Sequence, residues 1–347
     1  MITFQRSLLD DNLVSSAIDI PFDFIVDSLI LCIRVRPFSS ERVIEVCRMY
    51  INSQDFRTLL LKKGIRTLPV LIFWLFHQGI YSIHEIVDEL ISHNHYFPSL
   101  YFAEEIRDFE RLTMNFVDRS VYHDFFSNGM LSGCIKYGFN ISTPEYFLKY
   151  DLFESLQEFI NGLDSIYLKP IEWSPFEWTN KPPSPLFEKM NIMSMAALYG
   201  SLRCFRLLMI HGYIINGNVV EMSYCGGNFE IIQLCRDFSG TSSESILNSI
   251  SYYSQELLLK YVFDNDRYIN INDVRFPVHS ASRNGDISMV NCLMQYGFNI
   301  NDLSVIGDFC PLFPAIKNGN IHMVQFLVEN KVNINHRGSN SSTLIIY

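Results

Sequence analysis

The sequence predicts an all-α protein, with an N-terminal helical domain followed by a helix-turn-helix solenoid. Three observations predict it: a repeat anchored on glycine in the C-terminal half, apolar spacing near 3.6 upstream, and a composition that can bury a core along the whole chain. Hydrophobic residues make up 48% of the 347 positions and charged residues 18%, with 28 Phe and 18 Tyr. This is the opposite of a disordered composition.

The repeat is read by columns. Gly200, Gly285 and Gly319 anchor SMAALYGSLRCFRLLMIHG, HSASRNGDISMVNCLMQYG and FPAIKNGNIHMVQFLVENK; Gly227 sits in the same register, and Ser254 takes the glycine's place in SISYYSQELLLKYVF. Successive anchors lie 27, 27, 31 and 34 residues apart. At two, four, five, seven and eight residues past each anchor, 24 of 25 cells are apolar and Glu256 is the exception. Composition alone would give about 12. Sixteen residues past the anchor stand Asn216, Asn270, Asn301 and Asn335. Amphipathic helices by themselves explain the apolar columns but not the shared glycine and asparagine.

Small residues before the anchors (Ala196, Ala197, Ser223, Ala281, Ser282, Ala315) let a short first helix lie close to its neighbours. A turn follows, and then a longer second helix whose apolar columns face adjacent units. One such pair cannot hide both faces, so the units must stack.

These segments resemble ankyrin repeats. PVHSASRNG, Pro277 to Gly285, is similar to the TPLHxAxxxG signature, with Pro277 and His279 in the matching places; CPLFPAIKNG keeps Pro311 but has Phe313 where the family has His. The units at Gly200 and Gly227 lack the Pro-Leu-His element, and GGNFEIIQLC resembles the divergent ankyrin-like segments expanded in some protists as a domain of unknown function. The resemblance covers residues 191 to 343, within a repeat region 191–347 of about five units, the last incomplete.

The resemblance implies a non-catalytic scaffold or adaptor that binds other proteins. It places the contact residues at the end of each first helix and at the tips of the loops between units. Here these are Leu198, Tyr199, Tyr252, Tyr253, Arg283, Asn284, Lys317 and Asn318 on the helices. The loop tips are Asp273 and Arg275, Asp302 to Phe309 including Asp308, and His336 to Asn340. Tyr199 and Arg283 lead this set, because Tyr and Arg offer large contact area with polar ends. Tyr252 and Tyr253 have a second reading, in which they fill the space left where Ser254 replaces glycine.

Upstream, residues 131–190 hold an outlying helix pair and an insertion. Thr143 and Pro144 suit a helix start, and Leu152, Leu156 and Phe159 or Ile160 form a stripe. In KPIEWSPFEWTNKPPSPLF, five prolines exclude regular structure, while Trp173, Phe176 and Trp178 are costly to leave in water. An extended, packed insertion is expected, with a disordered linker as the alternative. Residues 1–130 lack the repeat columns but carry helix starts at Ser40, Ser53 and Ser82 with Glu85. Five to seven helices forming a cap or adaptor domain are expected there. At the other end, Leu344 to Tyr347 are expected to be poorly anchored.

With 27 Lys and Arg against 37 Asp and Glu, the formal charge of -10 speaks against nucleic acid as the main partner, and neither half carries a basic patch for an anionic membrane. Asp10 and Asp11 fall where a secretory signal needs apolar residues. The apolar runs at 25–35 and 68–76 are too short to span a bilayer. Eight cysteines without CxxC spacing fit reduced thiols in a cytoplasmic protein.

No phosphate-cradling, zinc-protease, nucleophile-elbow or calcium-loop motif occurs, so no catalytic residue, cofactor, metal or small-molecule substrate is expected. His93 and His95 lack supporting ligands, Cys225 sits beside an inter-helix turn, and the Asp10–Asp11 and Glu104–Glu105 pairs fit a solvated surface. The competing reading is an enzyme or enzyme subunit whose site lies in residues 1–130, with the repeats recruiting substrate. A pocket with converging ionisable groups near His77, His84, His93 or His123 would mark it.

Overall fold

The computed structural model describes residues 1–9, 20–36, 38–93, 96–102, 105–106, 131–162, 171, 173–179, 190–238, 241–265, 274, 276–301 and 310–335. Among these the chain is all helical, with no strand. They pack as two compact units. One holds residues 11–146 and 172–180; the other holds residues 1–10, 147–171 and 181–347.

The helical unit contains α2 (Phe22–Val35), α3 (Ser40–Tyr50), α4 (Gln54–Thr67), α5 (Pro69–His77), α6 (Ile83–His93), α7 (Tyr96–Ser99) with a 3-10 turn at Leu100–Phe102, and α8 (Leu131–Tyr137); α1 (Ile2–Leu9) packs with the other unit. Two of these starts, those of α4 and α6, are capped by a side chain. Ser82 and Glu85 form a reciprocal capping box: the Ser82 N–H donates to Glu85 Oε2 at 2.8 Å and the Glu85 N–H to Ser82 Oγ at 3.3 Å. Ser53 accepts from the Phe56 N–H. Ser40 is already inside its helix; Ser39 takes the cap position and spends its hydroxyl on the Arg36 carbonyl at 2.7 Å.

Ile25, Leu29, Phe56, Leu60, Ile72 and Leu75 are fully buried and form the core of this unit. Residues 173–179 of the insertion pack onto it. Phe176 is fully buried against Tyr101, ring centroids 5.4 Å apart, and Trp178 meets Trp74 edge-on at 5.2 Å. Aromatic burial holds residues 173–179 in place without a helix or strand.

The second unit is a row of helix pairs: α9 (Pro144–Lys149, of which residues 147–149 belong to this unit) with α10 (Phe153–Asn161), α11 (Ile192–Leu198) with α12 (Leu202–Ile210), α13 (Gly217–Gly226) with α14 (Phe229–Leu234), α15 (Ser243–Tyr252) with α16 (Glu256–Asn265), α17 (Pro277–Asn284) with α18 (Ile287–Gln295), and α19 (Leu312–Lys317) with α20 (Ile321–Glu329). One residue in every turn is left-handed: Asp151 (φ 51), Gly200 (67), Gly227 (75), Ser254 (57), Gly285 (74) and Gly319 (66). Here the chain must reverse between two helices within a couple of residues, and glycine adopts this conformation without a Cβ penalty. Asp151 extends the register to the outlying pair: its carboxylate accepts from the Cys204 N–H at 2.9 Å and so caps α12 of the next pair.

First helices stack on first helices, α11 on α13, α13 on α15, α15 on α17 and α17 on α19. The small-residue column makes this possible, with Ala196, Ser223, Ala281 and Ala315 all at 0% exposure. In the second helices, the columns four, five and eight residues past the anchor form the core, for example Phe205, Leu259, Leu293 and Leu327.

The asparagine column has two uses. Asn216 caps α13 by accepting from the Val219 N–H at 3.1 Å, whereas Asn301 accepts from the Asn333 N–H at 2.7 Å and ties two loops together. Asn270, and the chain end at Leu344 to Tyr347, lie outside the described residues.

Candidate recognition surface

The position two residues before each anchor runs along one edge of the stacked first helices, and its chemistry changes along the row. It is Leu198 (4% exposed) and Cys225 (1%) in the first two units, half-buried Tyr252 in the third, and exposed Arg283 and Lys317 in the last two. The row therefore opens toward solvent where it becomes cationic.

The position just before each anchor is structural in the later units. Asn284 Nδ2 donates to the Tyr252 carbonyl and Asn318 Nδ2 to the Arg283 carbonyl, each at 2.6 Å. Each amide thus reaches the carbonyl two residues before the preceding unit's anchor, within the last two residues of that unit's first helix. Such a ladder satisfies the orphan carbonyls at a helix end.

Several expected contact residues are therefore corrected. Leu198 and Tyr199 are buried (4% and 7% exposed), and Lys149, itself 1% exposed, brings its ammonium 5.9 Å from the Tyr199 ring centre. Packing of the outlying pair on this unit takes the space that an unobstructed first repeat would leave open. Tyr253 is 2% exposed beside left-handed Ser254, which matches its gap-filling alternative. Asn284 and Asn318 spend their side-chain amides on the ladder. Arg283, Lys317 and Asn318 are the exposed described positions of the set, with Tyr252 and Asn284 half-exposed. Asp273, Arg275, Asp302, Asp308, Phe309 and His336 to Asn340 lie outside the described residues. No column of apolar residues signals the Asn ladder; the recurrence of Asn before two anchors was the only trace of it.

His279, one turn before Arg283, is half-buried. Burial pushes its pKa down to about 4, and the Arg283 guanidinium adds to the effect. The imidazole is therefore neutral across the physiological range.

All eight cysteines are free thiols, and seven are buried. Burial raises Cys47 and Cys225 to about 12, and Cys134, Cys235 and Cys292 to about 11. None of these offers a thiolate nucleophile at neutral pH. Native protein is accordingly expected to react with a thiol-directed reagent at pH 7.5 at least about tenfold more slowly than free cysteine, with all eight thiols titrating at once in denaturant. A single fast-reacting thiol in the native chain would contradict this assignment.

In the helical unit, His77 is exposed, with Nε2 3.9 Å from the Glu105 carboxylate, and His84 is exposed as well. His123, His95 and the side chain of His93 lie outside the described residues. Among the described residues no group of three His, Cys, Asp or Glu is placed to hold a metal ion. A cavity of about 260 Å³ opens between the Gly227 and Ser254 units, lined by Val220, Ile232, Arg236 and Tyr261 among others, and no histidine or carboxylate lines it. Among the described residues no helix is long and apolar enough to cross a membrane.

Residues 247–338 match the family model described as ankyrin repeats, in three copies. Solved structures similar to this chain include the ankyrin repeat domain of human ASB11, at 15% identity and a TM-score of 0.39, covering 58% of this chain and 88% of that one. The ankyrin repeat domain of Bcl-3, a member of the IkappaB family, is similar at 17% identity and a TM-score of 0.33, covering 44% and 76%. No curated protein matches the sequence. The chain is an all-α protein that carries divergent ankyrin repeats, a class of repeat that generally mediates contact between proteins.

Proposed function

We propose that this chain is a non-catalytic adaptor whose docking edge is the exposed end of the last two described first helices, where Arg283 and Lys317 receive an acidic segment of a partner protein. The observation that carries this reading is the change along one register position, from buried Leu198 and Cys225 to exposed Arg283 and Lys317. Successive units hold these two cations in fixed order, because Asn318 ties its helix end to the Arg283 carbonyl. A pre-formed edge binds with little ordering cost, and rim cations set on-rate and partner choice. Buried thiols with raised pKa values support the non-catalytic side of the reading, and the eight free thiols accord with a cytoplasmic setting.

A labelled twelve-residue Glu-rich peptide tests the charge preference against a Lys-rich peptide of equal length. Full-length protein is expected to favour the acidic probe. The double variant Arg283→Glu with Lys317→Glu should lose about tenfold in affinity or more, with its thermal midpoint within about 2 °C of the parent. Unchanged binding in the variant, or loss of binding only in step with melting, would remove this edge as the site.

A further inference from the structure

The helix α1 lies at the far end of the chain from the repeats in sequence, yet packs on α18. Comparison of columns shows what it covers. Two residues past the anchor, Phe229 is 46% and Ile321 60% exposed, but Ile287 is 1% exposed; one position further, Leu257 is 75% exposed and Ser288 0%. Phe4, Leu8 and Leu9 of α1 are buried in return.

The polar part of the contact is equally specific. Gln5, 1% exposed, uses both ends of its amide across 280 residues of sequence: Nε2 donates to the Gly285 carbonyl at 3.1 Å, and Oε1 accepts from the Ser288 N–H at 3.2 Å. Arg6 Nε pairs with Glu256 Oε2 at 2.7 Å, and the same carboxylate accepts from the Ser288 hydroxyl. Glu256 is the one residue that breaks the apolar columns of the repeat, and this ion pair accounts for it.

We infer that the surface around Glu256, Ile287 and Ser288 is a docking site for a short amphipathic helix of the pattern Phe-Gln-Arg-x-Leu-Leu, filled in cis by α1, and that a partner helix of this chemistry displaces α1. A helix of eight residues is marginal in water, so α1 forms only when docked. Its gain is three apolar side chains, one amide and the Arg6–Glu256 ion pair, set against the ordering of a whole segment, which leaves the strap close to exchange. Recognition of this kind is a helix laid on a groove, with apolar anchors for affinity and one polar clamp for register. This surface is distinct from the Arg283 and Lys317 edge.

The test uses the full chain and a labelled peptide of residues 1–10, MITFQRSLLD. In the Leu8→Asp chain α1 is loosened, and the peptide is expected to bind at least about tenfold tighter than to the parent, in which α1 competes. A Gln5→Ala peptide should lose at least about tenfold, and a Glu256→Arg chain should prefer the Arg6→Glu peptide over the natural one. Equal binding to parent and Leu8→Asp chains, or no binding to a Leu8→Asp chain that melts like the parent, overturns the inference. Hydrogen exchange on the parent decides the matter if that variant misfolds. Amides of Phe4 to Leu9 should exchange at least about tenfold faster than those of Val290 to Leu293, and equal protection would make α1 a fixed part of the core.

Discussion

Gly226→Ala is expected to destabilise the repeat array by about 3 kcal/mol, at the upper end for overpacking by a single methyl group. A Cβ at this position would stand 2.6 Å from the Leu198 carbonyl oxygen and collide with the Ala197 carbonyl oxygen. Both obstacles are backbone of α11, so no side chain can swing aside. Relief requires α13 to move off its neighbour, and each repeat holds only through its neighbours. Gly212→Ala is the control. Nothing lies within 4 Å of its added methyl group, and the cost there is confined to the left-handed backbone at φ 82, about 1 kcal/mol. Urea unfolding followed by far-UV circular dichroism compares the two. If the Gly226 variant is no less stable than the Gly212 variant, close approach of α11 and α13 does not hold this junction.

A second large effect is acid destabilisation traced to His279. Its folded-state pKa of about 4 lies below the ordinary 6.5, so between these values the unfolded chain binds a proton that the folded chain does not. Stability from this group is therefore full above pH 6.5 and falls as the pH drops toward 4. At 1.36 kcal/mol per unit the loss reaches about 3 kcal/mol by pH 4. Arg283 and burial act in the same direction, since both oppose the imidazolium. His279→Gln removes the titrating group, so the stability difference between parent and variant should change with pH between 6.5 and 4 and be flat above 7. A difference that stays constant over that window would mean the imidazole is not held neutral by its surroundings.

The register of the repeats was legible from residues alone because each part of it is local. Glycine or a tolerant residue marks the left-handed turn, and Ser254 and Asp151 show that the conformation outlasts the residue that favours it. The apolar columns of the second helix are set by the 3.6 period, which any window of the chain displays. The capping box at Ser82 and Glu85 was legible for the same reason.

The candidate contact edge was legible only in part. A position two residues before an anchor is exposed or buried according to what stacks on it. Leu198 and Tyr199 share a register with residues that are open in later units, yet the pair α9 and α10 packs beside them and Lys149 lies near the Tyr199 ring. The amides of Asn284 and Asn318 find their acceptors a full repeat away, a pairing that no local pattern displays.

For this protein the sequence by itself determined the helix pairs, their turns, their order and the family they resemble, since those follow from contacts within about ten residues. Tertiary structure alone decided which units remain open, and that the first helix of the chain returns to cover Ile287. Burial at a given site depends on a partner surface supplied from elsewhere in the chain, and a local pattern carries no record of which partner arrives.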